Sequence, residues 1–184
     1  MSTKVITGKV RFSYVSIFTP VSANEEDTPK YKVTLLIPKT DRDTMGKIQQ
    51  AIIEAKDKFL AKNGAASLPP KPKTTLYDGD KEREDGSPFG DECHGCYVIT
   101  VSSKVKPIIV DSFRNPITDP GEVYSGCYGR AAIDFYGYNS HGKRGISAGL
   151  QSIQKLHDGE PLGGSRGSAD DFDDGFADLA DDIL

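Results

Sequence analysis

Hydrophobic and polar residues alternate along several segments of the chain, a period of two that is typical of strands with one buried face. In residues 4–18 the side chains of Val10, Phe12 and Tyr14 share the apolar parity, and residues 30–37 alternate in the same way. The pattern predicts strands over 4–18, 30–37, 96–105, 107–110, 123–138 and 146–153, with a polar loop over 20–29.

One segment changes to a helical period. Its apolar residues recur every three or four positions, at Met45, Ile48, Ile52, Ala55 and Phe59. This spacing places them on one face of a helix. We predict a helix over 41–62, with Thr40 and Asp43 as a capping pair and Asn63-Gly64 as the stop signal.

Residues 65–95 form a long excursion between the helix and the next strand. Four prolines and a dense charge cluster over 78–85 interrupt any periodic pattern, apart from one short strand near 74–77. Loops of this length in a compact domain are usually functional or mobile. The sequence leaves open whether this excursion folds over a binding site.

Several short strands, one long helix and no alternation of strands with helices predict a mainly β domain. We expect a small OB-fold-like barrel, which tolerates long insertions and offers a strand face to nucleic acid; a sandwich of different topology stays open. The barrel should occupy residues 1–162. A Gly/Ser linker and a disordered acidic tail should occupy residues 163–184, where apolar residues become sparse.

Charge is distributed unevenly along the chain. The formal net charge of −4 includes seven aspartates, without Lys or Arg, in the last sixteen residues. Residues 1–168 therefore carry 20 acidic against 23 basic residues, a formal charge of +3. A mildly basic body with an acidic end is typical of proteins that meet nucleic acid through the body and partners through the tail.

The predicted tail combines acids with regularly placed apolar side chains, a composition suited to docking into basic pockets with an apolar floor. A plain disordered end is the alternative. Because the tail is anionic, it can also compete with DNA for the protein's own binding groove. The partner-binding residues that we predict are Asp170, Asp171, Phe172, Asp173, Asp174, Phe176, Asp178, Asp181, Asp182, Ile183 and Leu184.

Residues 128–138 place small apolar side chains on one parity and tyrosines with an arginine on the other. Rings that stack on bases, beside cations that meet phosphates, are what a single strand requires. Tyrosines that merely cover the barrel edge are the alternative. Our predicted single-stranded DNA-binding set is Lys9, Arg11, Tyr14, Lys32, Lys104, Lys106, Arg130, Tyr136, Tyr138, Lys143 and Arg144, with the last two in a turn.

Metal and catalytic motifs are weak. Cys93 and Cys96 form one cysteine pair, whereas a structural zinc site needs four ligands. We expect free thiols, no cofactor and no enzymatic activity. An odd number of cysteines fits a reducing cytoplasm, and no apolar run reaches the length of a membrane helix. We therefore expect a cytoplasmic protein that does not enter membranes.

Four stretches resemble phage-encoded single-stranded DNA-binding proteins, a group long known only as a domain of unknown function. They are GKVRFSY at 8–14, SSKVKP at 102–107, DPGEVYSGCYGR at 119–130 and GISAGLQSIQK at 145–155. The resemblance implies an OB barrel, sequence-tolerant binding of single strands and an acidic C-terminus that contacts replication or recombination enzymes. Many such tails end in an aromatic residue, whereas this chain ends in Ile183-Leu184.

The sequence thus predicts a single-stranded DNA-binding protein of phage replication, recombination or repair, acting in the host cytoplasm. Two other classes stay open: a protein-interaction module whose tail mimics DNA, and a zinc-dependent nuclease. The oligomeric state, with a homodimer as one possibility, and the preference between DNA and RNA are not determined by the sequence.

Overall fold

The structure, a computed structural model, describes residues 2–22 and 24–162. Its elements follow the chain as β1 Lys4–Ile6, β2 Val10–Val21, β3 Lys30–Pro38, α1 Arg42–Asn63, β4 Leu76–Asp78, β5 Cys96–Ser103, β6 Ile108–Val110, β7 Tyr128–Ser140 and β8 Lys143–His157. Two short 3₁₀ turns lie at Asp91–Cys93 and Pro120–Glu122.

Five strands close into a ring. β2 pairs with β3, β3 with β5 and β7 with β2, all antiparallel, and the long β7–β8 hairpin is antiparallel as well. The ring closes where β8 lies parallel to β5, through the pair Ser102 and Gly149. A mainly β, partly open five-stranded ring with a single α-helix in the described chain confirms the predicted OB-like class.

Apolar side chains from every strand of the ring fill its interior. Phe12, Leu35, Ile99, Ile133 and Ile146 are each at most 2% exposed. The alternation predicted for β3 and β7 is confirmed on this inner face. Burial of such side chains contributes about 25 cal/mol for each Å² of apolar surface removed from water, so the inner face of each strand is committed to the core.

Helix α1 packs against β1 and β7 and confirms the predicted helix. Its buried face includes Met45 and Ile48. The predicted capping pair is wrong, because the carboxylate of Asp41 accepts the Thr44 amide at 3.1 Å and so satisfies one of the free N–H groups of the first turn.

Three predicted boundaries are wrong. The first strand is broken at residues 7–9, because Thr7 is buried and exchanges hydrogen bonds with Ala131 instead of continuing the strand. Residues 123–127 form no strand, so β7 begins at Tyr128. Lys143 and Arg144 are the first two residues of β8 and do not belong to the turn.

A β-bulge in β2 changes which parity faces the core. The register with β3 shifts between Ser13 and Ser16, so the buried side chain before the bulge is Phe12 and the buried one after it is Ile17. Tyr14, predicted on the apolar face, is instead 68% exposed with φ of +48°. A bulky residue in the left-handed region is strained and worth a functional explanation.

No helix in the described residues is long and apolar enough to span a membrane. The predicted linker and acidic tail, residues 163–184, lie outside the described residues, so the domain division at residue 162 stays a prediction.

Because Tyr14 has a positive φ, we predict that its glycine variant is more stable than its alanine variant, the reverse of the order expected elsewhere in a strand. Tyr14→Gly should be about 1 kcal/mol more stable than Tyr14→Ala, because only glycine adopts a positive φ without a Cβ clash. Urea denaturation of both variants gives the comparison. At Thr19, an exposed β2 residue without a positive φ, the alanine variant should be the more stable. An alanine variant at position 14 that matches or exceeds the glycine variant would contradict the strain.

Candidate nucleic-acid interface

A groove crosses the outer face of the barrel above β3 and β5, where three adjoining concavities share residues. Lys32 and Thr100 line both the first and the second concavity, and Lys30 and Lys104 line both the second and the third. We call this continuous depression the groove. Its lining includes Tyr14, Lys30, Lys32, Thr34, Lys73, Tyr77, Arg83, Phe89, Thr100, Lys104, Tyr136 and Tyr138.

Lysines lie at the centre of the groove. Lys32 points outward because its neighbour Val33 faces the core with 1% exposure, and Lys30 has the same parity as Lys32. Lys104 follows the last residue of β5. Within the described chain, the ammonium groups of Lys30, Lys32 and Lys104 have no hydrogen-bond or ion-pair partner. Unpaired cations gathered in a concave surface attract anionic ligands.

Two tyrosines of β7 occupy one end of the groove. Tyr136 is 46% exposed, and its ring lies over Gly149, where an added Cβ would come within 3.4 Å of the ring. A Cβ added at Gly145 would likewise lie 3.0 Å from the Tyr138 hydroxyl. The two glycines of β8 therefore leave the space that these rings occupy. An accessible ring beside cations can stack on an unpaired base.

The excursion over 65–95 folds back on the barrel and forms one wall of the groove. Its Phe89 and Cys93 pack with Leu36 and Val98, two side chains that point out of the ring and would otherwise meet solvent. This packing explains why both parities of β3 are buried. The question that the sequence left open is therefore answered for the described chain.

Charge differs between the wall and the floor of the groove. The Arg83 guanidinium lies 4.7 Å from the centre of the Phe89 ring, a cation–π contact on the wall. Glu84, Asp85 and Glu92 line the same wall. The lysines at β3 and β5 therefore attract phosphate groups. The wall offers rings and acceptor groups suited to bases.

An ion-pair cluster fixes the base of the wall. Lys39, directly after β3, lies 2.6 Å from the Asp78 carboxylate and 2.7 Å from that of Asp80. Its hydrogen bonds hold the pKa of Asp80 at about 2 and raise the pKa of Lys39 above its usual range. The Gly95 amide donates to Asp80 at 3.0 Å. These side chains are partly exposed, so the cluster sets geometry more than stability.

The structure brings five of the eleven predicted DNA-binding residues together in the groove, namely Tyr14, Lys32, Lys104, Tyr136 and Tyr138. Two more, Lys143 and Arg144, lie in the β7–β8 hairpin just beyond Ser140, which lines the same end. Arg144 donates to the carbonyl of Ala66 at 3.4 Å, which holds the hairpin near the loop that follows α1.

Lys106 lies beside the groove rather than in its lining, and its ammonium group is 5.6 Å from the centre of the Phe18 ring. It belongs to the turn that connects β5 to β6. Its part in binding stays a prediction.

The other three predicted cations lie on a different part of the barrel. Arg11 donates to the carbonyls of Gly126 at 3.1 Å and Glu160 at 2.6 Å, which ties down the chain after β8. Lys9 lies 5.6 Å from the Tyr128 ring. Arg130 donates to the carbonyl of Thr7, and its exposed end points out from β7. DNA contacts by these three residues stay predictions.

Sequence reasoning missed part of the groove lining: Lys30, Lys73, Tyr77, Arg83 and Phe89. Lys30 shares the parity of Lys32 and could have been included on that signal. The other four belong to the excursion or its approach, and no local period indicates that this segment folds back onto β3 and β5.

The predicted cysteine pair lies in an apolar setting. Burial raises the pKa of the Cys93 thiol to about 11 and also raises that of Cys96. In residues 2–22 and 24–162, no three His, Cys, Asp or Glu side chains are placed to hold a metal ion together. A low-pKa thiolate, the form that ligates zinc, is disfavoured here.

Comparisons with known proteins identify relatives among phage proteins. A family profile described as "Enterobacter phage Enc34, ssDNA-binding protein" matches residues 3–184. Protein p50 of Acyrthosiphon pisum secondary endosymbiont phage 1 is 32% identical over 180 residues, which cover 93% of each chain.

Solved structures share the architecture. The single-stranded DNA-binding protein from bacteriophage Enc34, in complex with ssDNA, superposes with a TM-score of 0.71 at 30% identity, over 88% of this chain and 90% of that one. The single-stranded DNA binding protein encoded by bacteriophage T7 reaches a TM-score of 0.63 at 13% identity, over 90% and 97% of the chains, and shows the fold alone. With the profile match across nearly its whole length, the chain belongs to the family of the Enterobacter phage Enc34 ssDNA-binding protein.

Proposed function

We propose that the chain binds single-stranded DNA in the groove, without strong sequence preference, and acts in phage DNA replication, recombination or repair. The observation that carries this proposal is the row of unpaired lysines over β3 and β5, flanked by the exposed rings of Tyr14 and Tyr136. Membership of a single-stranded DNA-binding family supports it, as does a related structure in complex with ssDNA.

The groove's chemistry selects single strands over duplexes. Tyr14 and Tyr136 offer their rings to base faces, which a duplex keeps stacked and a single strand exposes. Lys30, Lys32 and Lys104 neutralise the backbone, and each neutralised phosphate releases condensed counterions. Neither interaction depends on base identity, so the binding tolerates any sequence. The protein can thus coat transient single strands and melt hairpins.

The acidic tail is proposed to recruit replication or recombination enzymes and to compete with DNA for the groove. Hydrogen bonds hold the chain before the tail, among them Tyr124 Oη to Gly159 O at 2.9 Å, Arg11 to Glu160 O at 2.6 Å and the Leu162 amide to Ser125 O at 2.8 Å.

Leu162 packs against the cluster of Leu36, Cys93 and Val98, whose members also line the groove. The 22 residues that follow Leu162 start beside the groove, and when extended they can reach up to about 70 Å. Tethering gives such a segment a high effective concentration at the groove.

Groove substitutions should weaken single-strand binding in separable ways. Tyr136→Ala should cost about 1–3 kcal/mol of binding free energy through the loss of one stacked base. Lys104→Glu should weaken binding at low salt and reduce the slope of log affinity against log salt by about 0.7, the value for one phosphate contact on a single strand. Fluorescence anisotropy with labelled mixed-sequence single strands and duplexes, at two salt concentrations, measures both effects.

Lys58→Glu is the matched control for Lys104→Glu, because Lys58 is exposed on α1 and has no partner among the described residues. It should change affinity much less. Equal losses at both sites would indicate a general charge effect instead of a groove. No change in either variant would favour a protein-interaction module without strand binding by the body.

Deletion of residues 169–184 should tighten single-strand binding and make it more salt-sensitive, because the anionic competitor is removed from the groove. Replacement of all seven tail aspartates by asparagine keeps the length and should reproduce the effect. The same titrations measure both variants. Unchanged affinity in both would refute the competition, while partner recruitment would then be tested separately by co-purification with and without the tail.

A further inference from the structure

Phe113 is the most exposed large apolar side chain in the described residues, at 81% of its surface. It sits at the tip of the turn that follows β6, on residues 111–115. An aromatic side chain in water at this level gains nothing for the fold. The ring is therefore available to a ligand.

The turn is built to hold Phe113 in one position. The Asp111 carboxylate accepts the amides of Phe113 at 2.8 Å and Asn115 at 2.9 Å, and the Arg114 amide donates to the Asp111 carbonyl. Arg114 has φ of +67°, in the left-handed region. The Gln154 amide of β8 donates to the carbonyl of Asp111 at 3.3 Å. These contacts fix the backbone that carries Phe113 before any ligand arrives, which lowers the entropic cost of binding.

The outer face of β8 connects the groove to this turn. Ser147, beside Tyr136, lines the groove, and Gln154, seven residues further along β8, holds the turn. At about 3.3 Å per residue the two lie roughly 23 Å apart along one strand. Between them Ile108 of β6, 68% exposed, pairs with Ser152 of β8.

The far end of this strip is cationic. Arg130 pairs with Gln154 across the β7–β8 ladder, and Val110, the last residue of β6, pairs with Gln154 from the other side. Arg130 and the turn thus flank one position of β8 at a separation of about 10 Å. The Arg114 guanidinium has no partner within the described chain.

Asp134 and Asp111, two carboxylates beside the strip, already accept hydrogen bonds. Asp134 accepts the Thr3 hydroxyl at 2.7 Å, and Asp111 accepts amides of its own turn. Among the described residues, neither pairs with Arg114, and Arg130 uses only its Nε, in a bond to the Thr7 carbonyl.

We infer that a single strand filling the groove continues along the outer face of β8, where one of its bases stacks on Phe113 and Arg114 contacts its backbone. This inference rests on the proposed function of the groove. A ring beside an unpaired arginine matches the stacking and charge of a single strand. A second copy of the chain would instead bring like charges together at Arg114 and Arg130.

Fluorescence offers a direct test because the chain contains no tryptophan. Phe113→Trp in the full-length protein introduces a single indole at the proposed stacking position. Mixed-sequence oligonucleotides of roughly 6 and roughly 16 nucleotides, within the site sizes known for OB folds, are titrated against it. The long strand should quench the indole strongly and the short strand weakly, since the short one fills only the groove.

Ile53→Trp is the matched control, because Ile53 is 52% exposed on α1, away from the strip, and should respond to neither strand. Phe113→Ala should lower affinity for the long strand by roughly fivefold or more and leave the short strand unchanged. Arg114→Ala should reduce the salt slope for the long strand by about 0.7.

Binding of both strands by the wild-type protein with an unresponsive indole at position 113 would overturn this inference and leave the groove intact. Equal quenching by both strands would overturn the extended path as well. A change in oligomeric mass on Phe113→Ala, measured by light scattering, would assign the ring to self-association instead. Absence of binding by the wild-type protein at any length would refute the groove and the extension together.

Discussion

The pairing of β8 with β7 on one side and β5 on the other closes the sheet, and the rest of the structure depends on that closure. Once the ring is closed, Ile133, Phe135 and Leu150 face a sealed apolar interior. Every second side chain is thereby committed to the core. The remaining side chains, on the outer face, are free for function, and the groove is the part of that face where cations and rings coincide.

The outer face is divided unequally by the excursion over 65–95, which includes β4. Where the excursion packs, Leu36 and Val98 are covered and the surface is structural. Where the excursion does not cover the sheet, Lys32 and Thr100 line the groove. The Lys39 cluster holds the excursion at the point of division, because it ties the end of β3 to Asp78 and Asp80. The same insertion thus protects one half of the sheet and shapes a wall for the other.

The sequence predicted those features that depend on a local period. The inner parity of β7 and the apolar face of α1 follow from spacing alone. The other parity of β7, which carries the tyrosines, correctly placed Tyr136 and Tyr138 on the outer face. Tyr14 was assigned to the apolar parity, because a bulge is a tertiary feature that shifts the period without a local signal.

The break after β1 and the fold-back of residues 65–95 depend on contacts far apart in sequence. Thr7 with Ala131 is such a contact, and so is the packing of Phe89 against the cluster that includes Leu36. The packing of Leu162 beside the groove also depends on such contacts. For this reason the groove could be predicted in kind, as tyrosines and lysines on outward parities, whereas its wall and its boundaries could not.

Photocrosslinking of a single strand that carries 5-iododeoxyuridine, followed by mass spectrometry of the attached peptides, tests most directly whether DNA lies in the groove. The account predicts attachment at groove rings, foremost Tyr14 and Tyr136, in the full-length protein. Attachment confined to rings outside the groove, such as Tyr97 or Tyr128, would contradict it, because those positions require the strand to follow a different face of the barrel.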